Sequence, residues 1–285
     1  MPSIVQFMHP GPEHVPNNPP ANNHINWNTG NHRRKFLCSD GDYVNNGQLF
    51  KGNLMFWGEW EPASNIQPLN QNGNPLYPNW IHFPYLPNQI PNATGLQNTD
   101  PFVYDIEFKY LLCQQFRHHP LNQTQLAHLD AGSLILFGSA KYPRNPNALF
   151  QLDTVFVVAD WIVYNPSMQA LQPPVISQNY FNIVYSKAYP NNQLNPNLAL
   201  RLYKGATFNK KINGMYSFSP SQLYDNNNIG FPRISLMNLP PYIVNNLSQG
   251  FHITNNLDLN IVQSFWEQIV NISRQNGCIE GVRFY

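Results

Sequence analysis

The sequence predicts an α+β fold that is mainly β, made of short strands and many turns and closed by one C-terminal amphipathic helix. Three observations carry that expectation. β-branched and aromatic runs recur at short intervals, Pro and Asn clusters interrupt them, and a single long stretch repeats its apolar residues with helical spacing. A chain of 285 residues, 42% hydrophobic and 14% aromatic, has enough apolar surface for a large core, and no Gly/Ser linker divides it. One domain covering residues 1–285 is expected.

Taken in order, Ile4 to Phe7 reads as a short strand. The segment from His9 to Gly30 follows with repeated Pro, Asn and Gly, which rule out a long helix and leave a long N-terminal loop. Leu54 to Trp60 is an aromatic strand, and Pro62 to Pro101 is Pro- and Asn-rich but contains the strand-like Trp80 to Phe83. Thr124 to Leu129 suits a short helix capped by Asn122 or Thr124. Ser133 to Gly138 and Phe150 to Tyr164 read as a hairpin around a turn at Tyr142 to Ala148. The continuous apolarity of these two runs requires cover on both faces, as in a closed or strongly curved barrel.

Further strands are expected at Asn182 to Ala188, Leu200 to Tyr203, Met215 to Phe218 and Arg233 to Leu236. The helix is expected from about Asp258 to Gln275, with Ile261, Val262, Phe265, Trp266, Ile269 and Val270 on one face and Asn276-Gly277 as its stop. Gly281 to Phe284 ends the chain as a strand.

At the central hairpin, Asp130-Ala131-Gly132-Ser133-Leu134-Ile135-Leu136-Phe137-Gly138-Ser139 and then Phe150-Gln151-Leu152-Asp153-Thr154-Val155-Phe156-Val157-Val158 resemble small-barrel domains of the PUA and ASCH type. In that superfamily a turn-glycine-strand step enters a barrel strand and the next strand returns along it. The resemblance covers about residues 126–164, roughly a seventh of the chain. It implies a PUA-like barrel and a ligand such as RNA, a modified DNA base or a nucleotide. It transfers no site residues, and the N-terminal histidines have no counterpart in it.

Charge narrows the partners. Sixteen basic and fifteen acidic residues give a net charge of +1, so the broad positive field of a non-specific nucleic-acid binder is missing, and any such contact is local. Charged residues make up only 11% of the chain while Asn is abundant, at about 40 copies, against roughly 25% charged residues in an average protein. The densest basic run, His32-Arg33-Arg34-Lys35, is either a phosphate site, with Arg117 as a further anion contact, or a solvated loop. Cys38, Cys113 and Cys278 are odd in number and widely spaced, which fits a reducing, cytoplasmic setting better than a disulfide framework. No charged-then-apolar leader opens the sequence and no apolar run is of membrane-spanning length, so no membrane partner is expected.

The N-terminal stretch concentrates His9, Glu13, His14, His24 and His32. HxxxEH is not a recognised metal motif, and neither a metal nor a cofactor is expected. As acid-base groups, His9 or His14 could move protons near neutral pH. As loop residues, they would only hydrogen-bond locally.

Strand alternation in Trp57-Gly58-Glu59-Trp60-Glu61 puts Trp57, Glu59 and Glu61 on one face and Trp60 on the other. That face either stacks a base beside two carboxylates or is a core Trp flanked by rim carboxylates. Asp153 interrupts an apolar strand, so it is either paired to a cation such as Arg144 or Arg201 or open to a pocket as a general base. Cys113 lacks an adjacent base and reads as a buried thiol. No Walker loop, GxGxxG, GxSxG or HExxH motif is present.

Three functions remain open. The first is recognition, with or without processing, of a nucleotide or modified base through Trp57, Trp60 and the His32 to Lys35 run. The second is hydrolysis of a glycosidic or phosphoester bond with Glu59 or Asp153 as general base and His9 or His14 as proton-transfer partner, which requires these groups to converge. The third is a non-enzymatic interaction protein.

Overall fold

The computed structural model describes residues 1–9, 13, 24–25, 33–70, 76–86, 100–111, 113–117, 122–140, 149–164, 174–186, 199–225, 229–236, 239, 241–245, 247 and 250–285. Its strands are β1 (Ile4–His9), β2 (His24–Ile25), β3 (Arg34–Asn45), β4 (Gln48–Glu59), β5 (Ser64–Pro68), β6 (Trp80–Pro84), β7 (Lys109–Tyr110) and β8 (Phe116–Arg117). They continue with β9 (Asn122–Gln123), β10 (Leu134–Ala140), β11 (Phe150–Tyr164), β12 (Leu200–Gly205), β13 (Ser219–Leu223), β14 (Ile234–Leu236), β15 (Gly250–Thr254) and β16 (Ile279–Phe284).

The fold is mainly β and built on two mixed sheets. The first has the order β15-β1-β10-β11-β12-β7, with β1 parallel to β10 and β14 pairing the start of β11. The second has the order β16-β13-β4-β3-β6-β5-β2. Because β16 pairs β3 as well as β13, the pairings of β3, β4, β13 and β16 return on themselves. Val155 and Phe218 exchange backbone hydrogen bonds of 2.8 and 2.9 Å, which tie the first sheet to the chain entering β13.

The expected hairpin is present as antiparallel β10 and β11, although its turn at 141–148 lies outside the described residues. Its neighbours explain its unbroken apolarity. Leu134 and Leu136 join one hydrophobic core and Ile135 and Phe137 the other, and β1 and β4 divide their side chains the same way. Both faces of these strands are covered, so alternation with polar residues disappears. Helix Leu259–Gln275 covers the first core with Val262, Phe265, Trp266, Ile269 and Val270, each such side chain contributing about 1.5–3 kcal/mol of burial. Its N-cap is Asp258, whose carboxylate accepts from Asn260 N. Among the described residues no helix is long and apolar enough to cross a membrane.

Three expectations are corrected. Asn182 to Ala188 is not a strand where it is described: a short helix, Gln178–Tyr180, runs into a π turn, Phe181–Tyr185. Tyr180, Ile183 and Val184 are buried at i, i+3 and i+4, and Phe181 stacks on Tyr185 at 6.0 Å, so the short apolar run carries a helical face. The strand placed at Met215 to Phe218 begins later, at Ser219, because Met215 closes a tight turn with Ile212. The helix at Thr124 to Leu129 is a 3-10 turn, Gln125–His128, capped by Thr124.

β3 was not anticipated at all. It forms a long hairpin with β4 through Asn46 and Gly47, whose φ values of 50° and 74° suit a two-residue turn of the type that matches strand twist.

Candidate functional site: a buried charge cluster at one end of the sheets

His9 is the last residue of β1, Arg34 the first of β3 and Glu59 the last of β4. Antiparallel pairing sets Arg34 directly across from Glu59, and parallel pairing sets His9 beside Ser139 of β10. β11 runs antiparallel to β10, so its first residues reach the same end. There Phe137 pairs with Thr154 but Gly138 pairs with Leu152, which makes Asp153 the extra residue of a β-bulge. Arg233 arrives on the residue before β14, which pairs Phe150 to Leu152. Five charged or titratable side chains from distant parts of the chain thus meet where strands end.

All five are buried. His9 Nδ1 meets Glu59 Oε2, and Arg34 Nη1 lies 3.5 Å from the same oxygen. Arg34 Nε lies 2.9 Å from Asp153 Oδ2, and its Nη2 donates to the Gly138 carbonyl at 3.2 Å. Arg233 Nη1 donates to Ser139 Oγ, its Nε is 3.9 Å from Asp153 Oδ1, and its guanidinium lies over the Trp57 ring, 5.0 Å from the centroid. Burial lowers Arg233 to about 10, with Asp153 opposing the fall.

Two more carboxylates adjoin the cluster. Asp100 accepts from Cys113 N at 2.6 Å and Leu111 N at 3.3 Å. Burial raises its carboxyl above the usual range, the Cys113 N–H opposing, with Glu59 adding to the rise and His9 opposing it. Glu13 accepts from Asn79 N and Nδ2, both at 2.7 Å, and is raised by burial, with these bonds and Arg233 opposing. A cavity of about 10 Å³ lies between Arg34, Glu59 and Asp153 on one side and Leu37, Phe56 and Val103 on the other.

The structure therefore brings together three of the residues expected to be catalytic: His9, Glu59 and Asp153. His14 and His32 lie outside the described residues, as do the side chains of His24 and Arg117. Asp153 is paired with Arg34 and Arg233; of the two partners expected, Arg201 instead donates to the Leu129 carbonyl and stacks on Trp161, and residue 144 lies outside the described residues.

Among the described residues expected to face a ligand, Trp57, Trp60 and Arg34 are placed inward. Trp57 is a core residue whose Nε1 donates to the Phe231 carbonyl, and Trp60 sits in the other core with its Nε1 on the Ala63 carbonyl. Within the basic run, Arg34 serves the cluster and buried Lys35 pairs Glu61 at 3.2 Å, leaving Arg33 as the described cation of the run that is not buried. Among the described residues, no group of three or more His, Cys, Asp or Glu is arranged to hold a metal ion.

Sequence reasoning missed Arg233, Asp100 and Ser139. Arg233 follows a Gly-Phe-Pro turn with no periodic signal, and Asp100 before Pro101 reads as an ordinary turn.

Two expected results follow from local geometry. A Cβ on Gly138 would collide with the Gln151 carbonyl and the Phe150 ring at the bulge. Gly138→Ala is therefore expected to destabilise the fold by about 1–3 kcal/mol in urea melts, since relief requires backbone movement. The three cysteines are free, and burial pushes the Cys38 and Cys278 thiols up to about 12. Relative to an ordinary thiol, their thiolate fraction at pH 8 falls by roughly a thousandfold. Iodoacetamide labelling followed by peptide mass mapping is expected to leave both unmodified until the protein unfolds.

No family model, no curated protein and no solved structure matches this chain.

Proposed function

We propose that the protein processes a nucleotide or a modified nucleic-acid base by hydrolysing a glycosidic or phosphoester bond, with His9 and Glu59 as its acid-base pair. The observation that carries this reading is Glu59 Oε2, which meets His9 Nδ1 while also lying 3.5 Å from the Arg34 guanidinium. A carboxylate beside Nδ1 favours the tautomer with its proton on that nitrogen, which leaves Nε2 as the nitrogen that exchanges protons with a ligand. Arg34, 3.5 Å from Glu59, and Arg233, beside Asp153, supply fixed positive charge in the same cluster for a developing anion. The placement of all five groups at strand ends, with one on a bulge, is the usual geometry of a site held by a rigid scaffold.

The ligand class rests on the resemblance of residues 126–164 to PUA/ASCH-like barrels. The closed circuit β3-β4-β13-β16 and the Val155–Phe218 tie support a barrel-like closure, although the circuit lies in the second sheet and not around the hairpin. A reader built on an open Trp57 face is the weaker alternative, because Trp57 is a core residue whose Nε1 is held by the Phe231 carbonyl. Three free cysteines support a reducing, cytoplasmic setting.

The experiment is mass-spectrometric detection of products after purified protein meets nucleotides, unmodified DNA and base-modified DNA, with His9→Asn as control. A product made by the wild type and missing from the control names the bond. No product from any of them would mean that the cluster only holds the two sheets together, and that the protein is a reader or an interaction protein.

A further inference from the structure

We propose that the small cavity beside Asp153 binds a single ordered water, and that this water is the nucleophile of the hydrolysis; the second half rests on the function proposed above. Asp153 is buried, yet neither of its oxygens has a hydrogen-bond partner among the described residues. The same holds for Nε and Nη1 of Arg34, although Nε stands 2.9 Å from the carboxylate. The pair therefore meets as charges, without the directed hydrogen bonds that usually accompany such contacts. Leaving buried charged atoms in that state is costly, and a water is the ordinary remedy where there is room.

Room and chemistry agree. A cavity of about 10 Å³ is on the scale of one water, and it is far too small for a base or a sugar. Arg34, Glu59 and Asp153 line it, which gives a water one donor to accept from and two carboxylates to donate to. Three partners is the usual number for a buried water. Thr154, also in the lining, is engaged with Ser219 Oγ at 3.0 Å, and Leu37, Phe56 and Val103 add apolar side chains.

Under the proposed hydrolysis the position gives the water a role. A water that donates to Glu59 sits next to the carboxylate that carries His9. As its oxygen bonds to the electrophilic carbon or phosphorus of a bound substrate, one water proton passes to Glu59. The bond to the leaving group breaks with its electron pair, and the leaving group takes a proton from protonated His9. Water and substrate are consumed, the two product halves gain OH and H, and the cycle closes when Glu59 gives its proton to solvent and His9 Nε2 takes one back. Asp153 holds the water and takes no proton in this scheme, so it is a positioning residue.

A high-resolution crystal structure of the wild type, paired with Val103→Leu, tests the inference. Val103 is an apolar lining residue with no part in the proton transfers, and the added methylene takes the room that the water needs. The expected result is density within hydrogen-bond distance of Asp153 and Arg34 in the wild type and its loss in the variant. The variant should keep a cooperative melt, while kcat on the substrate found above falls by at least about tenfold and KM stays level.

An empty cavity in the wild type would overturn the inference and leave the His9–Glu59 reading standing. Density in the wild type and full kcat in a variant shown to lack it would overturn the role of nucleophile. Density in a wild type that makes no product would instead sink the proposed hydrolysis, and with it the role of the water, leaving a structural solvent site.

Discussion

Replacing Asp153 with Ala is expected to cost about 3–5 kcal/mol of stability, the largest loss of any single change at this site. Arg34 and Arg233 are both buried and Asp153 stands between them, at 2.9 Å from one and 3.9 Å from the other. Removing the carboxylate leaves two guanidiniums to share what remains, and Glu59 already serves His9. The bulge at Asp153 adds to the loss, because its backbone conformation persists without the ion pairs that stabilise it. The Glu107–Lys204 pair is the internal comparison: it spans 3.9 Å with both side chains partly exposed, and such pairs are worth about 0–1 kcal/mol. Urea melts of both alanine variants measure the contrast. An Asp153→Ala loss as small as that of Glu107→Ala would mean that the guanidiniums are satisfied by other groups.

Glu59→Gln is expected to reduce kcat by about 10²–10⁴-fold while leaving the protein folded. Gln matches the volume of Glu, and Arg34 keeps Asp153 and the Gly138 carbonyl, so the guanidinium is not stranded. What changes is the proton chemistry. An amide cannot accept a proton from water, and it does not fix the Nδ1–H tautomer of His9 as a carboxylate does. The measurement is steady-state kinetics on the substrate identified by product analysis, alongside a thermal melt. Unchanged kcat in a folded variant would remove Glu59 from the mechanism.

Much of the scaffold was legible because its signals are local. β1, the hairpin of β10 and β11, and helix Leu259–Gln275 each announce themselves within one run of residues, by β-branched content or by the spacing of Val262, Phe265, Trp266 and Ile269. β3 escaped notice because its first two residues are Arg34 and Lys35. In a sequence they look solvated, and only their partners Glu59, Asp153 and Glu61 permit burial. Asn46-Gly47 is a strong hairpin signal that would have revealed both long strands.

The candidate site was legible in part for the same reason. Asp153 stands out inside an apolar strand, and His9 and Glu59 were singled out for their chemistry, but nothing local pairs one with another. That pairing depends on β1 lying parallel to β10 and on Arg34 facing Glu59 across β3 and β4, which are long-range facts of the sheets. The bulge that makes Asp153 the extra residue of β11 is equally invisible, since it is a mismatch between two strands.

The contact between His9 and Glu59 is the centre of the account, and nitrogen-15 and proton NMR of the histidine side chains reads it most directly. The account expects His9 at neutral pH to carry a proton on Nδ1 that exchanges slowly with solvent, resonates far downfield and moves upfield in Glu59→Gln. A His9 Nδ1 without a proton, or a signal that Glu59→Gln leaves unchanged, would contradict it.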